Sequence, residues 1–253
     1  MYLMNKSSLL LGLLFLGFLA TAFGQDAKAI LRESENRRRG LKSSQAEMTM
    51  TIVRPTWQRE MSLKSWSMGD EYALILVTSP AGEKGTTTLK RGSEVWNWVP
   101  KIGRTIKLPR SMMSQSWMGS DMSNDDLVNE ISIIDDYDHK ILKDSVIQGR
   151  TCWKMELVPH EDVAVVYSKV NIFVDQKDYL QLRNEEYDED GYLVSVMNAS
   201  EIKQMDGKPF ATRMEIIPIE EDGHKTVVTY QNIRFNVDVS NQFFSVQNMK
   251  RVR

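Results

Sequence analysis

Residues 179–236 restrict the fold more than any other part of the chain. They alternate apolar and polar side chains and break at Asp-Gly pairs. YLQLRNEEYDEDGYLVSVMNAS turns at DEDG, EIKQMDGKPFATRMEIIPI turns at MDGK, and HKTVVTYQNIRFN follows. An Asp-Gly pair between period-two runs marks a β-hairpin, because the tight turn needs backbone at positive φ. The same rhythm appears earlier. Met48, Met50 and Ile52 alternate with Glu47, Thr49 and Thr51, and YALILVT (72–78) and TTTLK (86–90) flank the loop SPAGEKG. EVWNWVP (94–100), the turn KIGR and TIKLP (105–109) form another hairpin. Trp96 and Trp98 share one face of its first strand, and Ile106 and Leu108 one face of its second. KDSVIQGRTCWKMELVP turns at Gly149 and sets Trp153, Met155 and Leu157 on one face, and SKVNIFVD alternates through Val170, Ile172 and Val174. No long crossover helix separates these strands, so the sheet is expected to be an antiparallel meander.

Two stretches depart from alternation. DAKAILRESENRRR (26–39) reads as a helix, with Asp26 as its cap, Ile30 and Leu31 as an apolar stripe, and Arg37 to Arg39 before Gly40. The second is LPRSMMSQSWMGSDMSNDDL (108–127), where Met112, Met113, Trp117, Met118 and Met122 lie among serines, Gly119 and acids. Met113, Trp117, Met118 and Met122 fall at helical spacing, and Asn124 to Asp126 can cap a further turn through Leu127 and Val128. One or two short amphipathic helices are expected here, lying on the sheet. Methionine suits a surface whose partner has no fixed shape. Pattern alone leaves two readings open, an ordinary packed core segment and a cover over an unfilled hollow.

The N-terminus carries Lys6, the apolar run Leu9–Ala20, and small residues Ala22 and Gly24 before Gln25. Basic start, short apolar middle and small-residue exit are the three parts of a secretory signal, and the run is short for a membrane span. Residues 1–24 are therefore expected to be removed on export, leaving 25–253 as one domain. Their loss takes away one lysine, moving the formal charge from −2 to −3. A charge so near neutral points to neither nucleic acid nor a polybasic membrane patch. Cys152 is the only cysteine, so the fold rests on its core and not on a disulfide.

Signs of catalysis or metal binding are weak. Asp135, Asp136, Asp138 and His139 crowd DDYDHK, but successive side chains of an extended segment point to opposite faces, and a solvated loop is the expected reading. EEYDEDG (185–191) lacks the bidentate glutamate of a calcium loop. His139, His160 and His224 stand in no G-x-S-x-G, H-E-x-x-H or C-x-x-C context. Cys152 alternates with apolar neighbours, as an inert buried thiol does. No enzyme activity, cofactor or metal is expected.

RGSEVWNWVPKIGRTIKLP resembles the hairpin of LolA-like periplasmic lipoprotein carriers, with its Arg-Gly, its aromatic pair and its proline turn. The continuation LPRSMMSQSWMGSDMSNDDLVNE is similar to the outer-membrane lipoprotein-sorting branch of that family, as is NIRFNVDVSNQFFSV with Phe243 and Phe244. The order of these elements agrees over nearly all of residues 25–253. The resemblance implies a mainly β fold with short helices: a curved, incompletely closed antiparallel half-barrel under a helical lid. It implies a monomeric periplasmic carrier of lipoprotein acyl chains or lipid. Such a carrier is served by an inner-membrane transporter and an outer-membrane acceptor. The groove contacts expected are Trp96, Trp98, Ile106, Leu108, Met112, Met113, Trp117, Met118 and Met122. The family's best-studied carrier latches its lid with an arginine on an early strand, and Arg54 in IVRP is the candidate counterpart. A sensor that binds lipoprotein and docks a membrane partner is the alternative, and a hydrolase is the third reading.

Overall fold

The computed structural model describes residues 26–39, 42–124, 126, 132–161, 163 and 167–253. The expected signal segment, residues 1–24, lies outside them. One antiparallel sheet of fourteen strands dominates: β1 Ser43–Arg54, β2 Trp57–Met68, β3 Tyr72–Ser79, β4 Thr87–Arg91, β5 Glu94–Val99, β6 Arg104–Lys107, β7 Tyr137–Ile141, β8 Ser145–Ile147, β9 Arg150–Pro159, β10 Lys169–Asp175, β11 Gln181–Tyr187, β12 Leu193–Met205, β13 Lys208–Pro218 and β14 Lys225–Phe235. Two meanders lie side by side, joined where β1 pairs with β14. The sheet is open, with β6 at one edge and β7 at the other. Register shifts at Glu47/Met48, Ser62/Leu63, Phe173/Val174 and Glu186/Tyr187 interrupt the ladders, and such bulges bend the strands that carry them.

The helix α1, Ala27–Arg39, begins as its sequence requires. Asp26 Oδ1 accepts from the Lys28 amide at 3.0 Å. Ala27, Ile30 and Leu31 then bury against Tyr137, Trp153, Met155, Leu157, Ile172 and Val174, inward-facing residues of β7, β9 and β10. We call the face under α1 the inner face. The opposite, outer face of β2–β5 is covered by the C-terminal segment, whose Phe244 and Met249 pack on Leu74 and Leu89.

Two expectations are corrected. A helical lid is not evident among the described residues: 110–123 holds only two three-residue 3-10 turns, Arg110–Met112 and Trp117–Gly119, and helical backbone begins only at Asn124. The reason lies in its polar residues. The Ser116 hydroxyl donates to the Ser120 carbonyl, Ser120 Oγ donates to the Trp117 carbonyl, and the Asn124 amide donates to the carbonyls of Met112 and Gln115. These side chains capture backbone groups that a helix would have paired internally. Met118 and Gly119, at φ of 54° and 78°, then turn the chain through the left-handed region. The expected helical turn through Leu127 and Val128 lies outside the described residues. The second correction is DDYDHK, read as a loop, whose later half opens β7. Tyr137 points inward to the α1 cluster while the acids flank it.

Candidate functional site

The two meanders end on opposite edges of the sheet, so the chain between β6 and β7 must cross from one edge to the other. The described residues between them, 108–124, 126 and 132–136, lie over the inner face, and their contacts mark the route. Leu108 and Met113 pack on Val95 of β5. Trp117 sits on β4, its indole N–H donating to Thr88 Oγ1 at 3.1 Å, while the Thr88 hydroxyl donates to Asn97 Oδ1 of β5. Asp121 reaches β1 and β14, and Asp126 stands near Glu186 of β11. At the far end Asp135 pairs with Lys28 of α1 at 2.9 Å. We call this segment the strap.

Trp117, 3% exposed, is the most buried large side chain among the described residues of the strap. It packs with Met50, Ile52, Met61, Leu63, Val77 and Val228, and Met118 and Met122 flank it half-buried. Two arginines fasten the strap beside it. Arg54 of β1 forms an ion pair with Asp121 at 3.0 Å, the two side chains 13% and 6% exposed, and donates to the Gly119 carbonyl at 2.9 Å. The Thr226 hydroxyl of β14 donates to the same carboxylate, at 2.6 Å, and accepts from the Asp121 amide. Arg59 of β2 donates to the Met118 carbonyl and pairs with Glu83. Residue 119 is glycine because of its left-handed backbone; a Cβ there would meet the Arg59 guanidinium only at ordinary contact distance, 3.5 Å.

Between strap and helix the inner face is oily and incompletely covered. Met48, Met197, Met214, Ile216 and Tyr230 share that face by register and remain half-buried, whereas a filled core would seal them. Arg38, in the last turn of α1, is close enough to act on the Tyr230 phenol, yet its side chain keeps 47% of its exposure.

Solved structures share this fold. A DUF1329 family protein from Desulfovibrio piger matches with a TM-score of 0.77 and 27% identity, covering 87% of this chain and 95% of that one. A putative outer membrane lipoprotein-sorting protein domain from Vibrio parahaemolyticus matches at 0.77 and 23%, covering 88% and 98%. A LolA superfamily protein from Nitrosomonas europaea matches at 0.73 and 22%, covering 87% and 98%. A family model described as an uncharacterized protein covers residues 69–251. The chain belongs to that family, and its fold is LolA-like. No curated protein matches it.

Within this LolA-like sheet the expected site residues divide between two faces. Leu108, Met113, Trp117, Met118 and Met122 gather on the inner face, and Ile106 shares the inward register of Asn97. Met112 is half-buried on the strap and lends its carbonyl to Asn124. Trp96 and Trp98 point the other way. They pack in the outer cluster with Leu89 and Phe244, and Lys107 and Lys250 lie over their rings at 5.4 and 5.3 Å. Among the described residues no group of histidines, cysteines and acids is arranged to hold a metal.

Glu186 has no sequence signal beyond its place in an alternating strand, yet it faces inward opposite Ser195. Burial pushes its carboxyl above the ordinary range, nearby Asp126 pushes the same way, and hydrogen bonds with Ser195 and Tyr167 pull it partly back. A folded-state value raised above the unfolded one stabilises the protein at low pH, and that stability is lost as pH rises from about 4.5 through the folded value. Glu186→Gln keeps the shape without the charge. Its melting temperature is expected to match the wild type near pH 4 and to exceed it increasingly towards neutrality. Thermal melts across that range would show otherwise if the difference between the two proteins were flat.

Proposed function

We propose that this protein is a non-enzymatic periplasmic carrier that takes acyl chains of lipoprotein or lipid between its inner sheet face, α1 and the strap. Residues 25–253 act as one exported domain that passes cargo towards the outer membrane, loaded by an inner-membrane transporter. The observation that carries this reading is the half-buried, methionine-rich surface beneath a segment pinned by two arginines. The LolA-like fold supports it.

The energetics suit a carrier. Burying a chain of about sixteen carbons gains on the order of 10 kcal/mol at about 0.8 kcal/mol per methylene. Release then needs a cover that moves without unfolding the sheet. From 108 to 123 the strap has only short turns of its own and is held by Arg54, Arg59 and one deep tryptophan, which fits that demand. In this reading Arg54 is the latch. Ile106, Leu108, Met112, Met113, Trp117, Met118 and Met122 meet the cargo, and Trp96 and Trp98 seat the C-terminal segment instead.

Protein purified from its own host should retain acyl-bearing molecules, seen as added mass in native mass spectrometry and as free chains after organic extraction. A preparation with no bound species, which also takes up no fluorescent fatty acid, would remove the carrier reading.

A further inference from the structure

The tip of the β5–β6 hairpin has a property that a near-neutral formal charge conceals. No acid occurs between Glu94 and Asp121, while Lys101, Arg104, Lys107 and Arg110 fall within ten residues. Lys107 is neutralised by Glu94. Lys101, Arg104 and Arg110 are exposed, as is Lys84 on the neighbouring β3–β4 loop, and among the described residues none of the four forms a salt bridge. Ile102 and Ile106, 57% and 41% exposed, stand among them. A cleft of about 530 Å³ lies beside the tip, lined by Lys84, Val99, Pro100, Lys101, Met118 on the strap, and Glu83, whose charge is paired with Arg59.

Cations on an edge strand such as β6 serve to discourage pairing with another chain. That purpose does not explain two open isoleucines, which favour association. Cations around a small apolar projection match an anionic lipid surface, where charges meet phosphates and alkyl groups enter the headgroup layer. We propose that this hairpin tip docks the protein on bilayers rich in anionic phospholipid, bringing the strap's Met118 to the membrane surface. Docking goes beyond acyl binding and is read without it.

The test is sedimentation of the exported chain with phosphatidylglycerol/phosphatidylcholine vesicles and with pure phosphatidylcholine vesicles. Binding is expected only to the former, and high salt should abolish it. Each cation near such a surface is worth about fivefold in affinity, so losing three would cost on the order of a hundredfold. Lys101→Glu, Arg104→Glu and Arg110→Glu together also add repulsion, and should weaken binding by at least that. Ile102→Asp alone should cost about tenfold. All four positions are exposed, and uptake of a soluble fluorescent fatty acid by the variants should remain at the wild-type level. Loss of that uptake in the wild type would strike the carrier reading and leave docking standing. Equal binding to both vesicles, or unchanged binding by the triple variant, would overturn docking. So would a dimer in vesicle-free solution that the charge reversals dissociate, because the patch would then belong to a second copy.

Discussion

Arg54→Met is expected to cost about 3 kcal/mol, because it strands the Asp121 carboxylate, 6% exposed, without its cation. Thr226 and the Asp121 amide continue to serve that side chain, but neither supplies charge. The Gly119 carbonyl also loses its donor. Adding Asp121→Asn to the first substitution should recover most of the loss, since it removes the unpaired charge and not merely its partner. Where the cost appears distinguishes a latch from a structural pair. A latch puts it into local opening: hydrogen exchange should speed up at the amides of Met113, Trp117 and Ser120, while the β1–β14 ladder keeps its protection. Acyl release should accelerate in parallel. A fall in global melting temperature with uniform loss of protection would make the pair ordinary structure and end its role as a latch.

Most strands were legible, including β3 to β5, which are covered on both faces but bounded by clear turns. β12 to β14 were legible from their alternating side chains and from the Asp-Gly pairs that mark their turns. β2 was not legible, and its two covers explain why. Met61 and Leu63 point inward under the strap, then Trp66 and Met68 point outward under the C-terminal segment, so the apolar parity reverses within one strand. The same double cover separates Trp96 and Trp98 from Ile106, since the register Asn97↔Ile106 and Trp96↔Lys107 sends them to opposite sides. Methionine spacing in 112–122 suggested helices, but Ser116, Ser120 and Asn124 bind the backbone themselves. No local pattern could show that β1 pairs with β14 across most of the chain, and that pairing is what sends the strap over the inner face. The basic tip escaped notice because its charge is cancelled by acids elsewhere in the sequence.

Trp117→Ala should separate the strap from the sheet more completely than any other single change. Truncating a buried tryptophan costs about 3–5 kcal/mol, and here the indole bond to Thr88 is lost as well, worth about 1 kcal/mol. A three-residue turn with no helix of its own has little to set against such a loss, so the strap is expected to lift while the sheet beneath remains folded. Met50, Ile52 and Met61, at 0% exposure, would then meet water, and dyes that report exposed apolar surface should bind. Acyl uptake should fall at least tenfold, since the cargo loses the cover that removes it from solvent. Trp98→Ala is the matched control. It removes an aromatic of the same size from the outer face, loosens the C-terminal segment around Lys250 and Phe244, and should leave uptake unchanged. If Trp98→Ala abolished uptake and Trp117→Ala spared it, the binding surface would be on the wrong side of the sheet. If Trp117→Ala unfolded the whole protein, the strap would be core and the hollow beneath it filled.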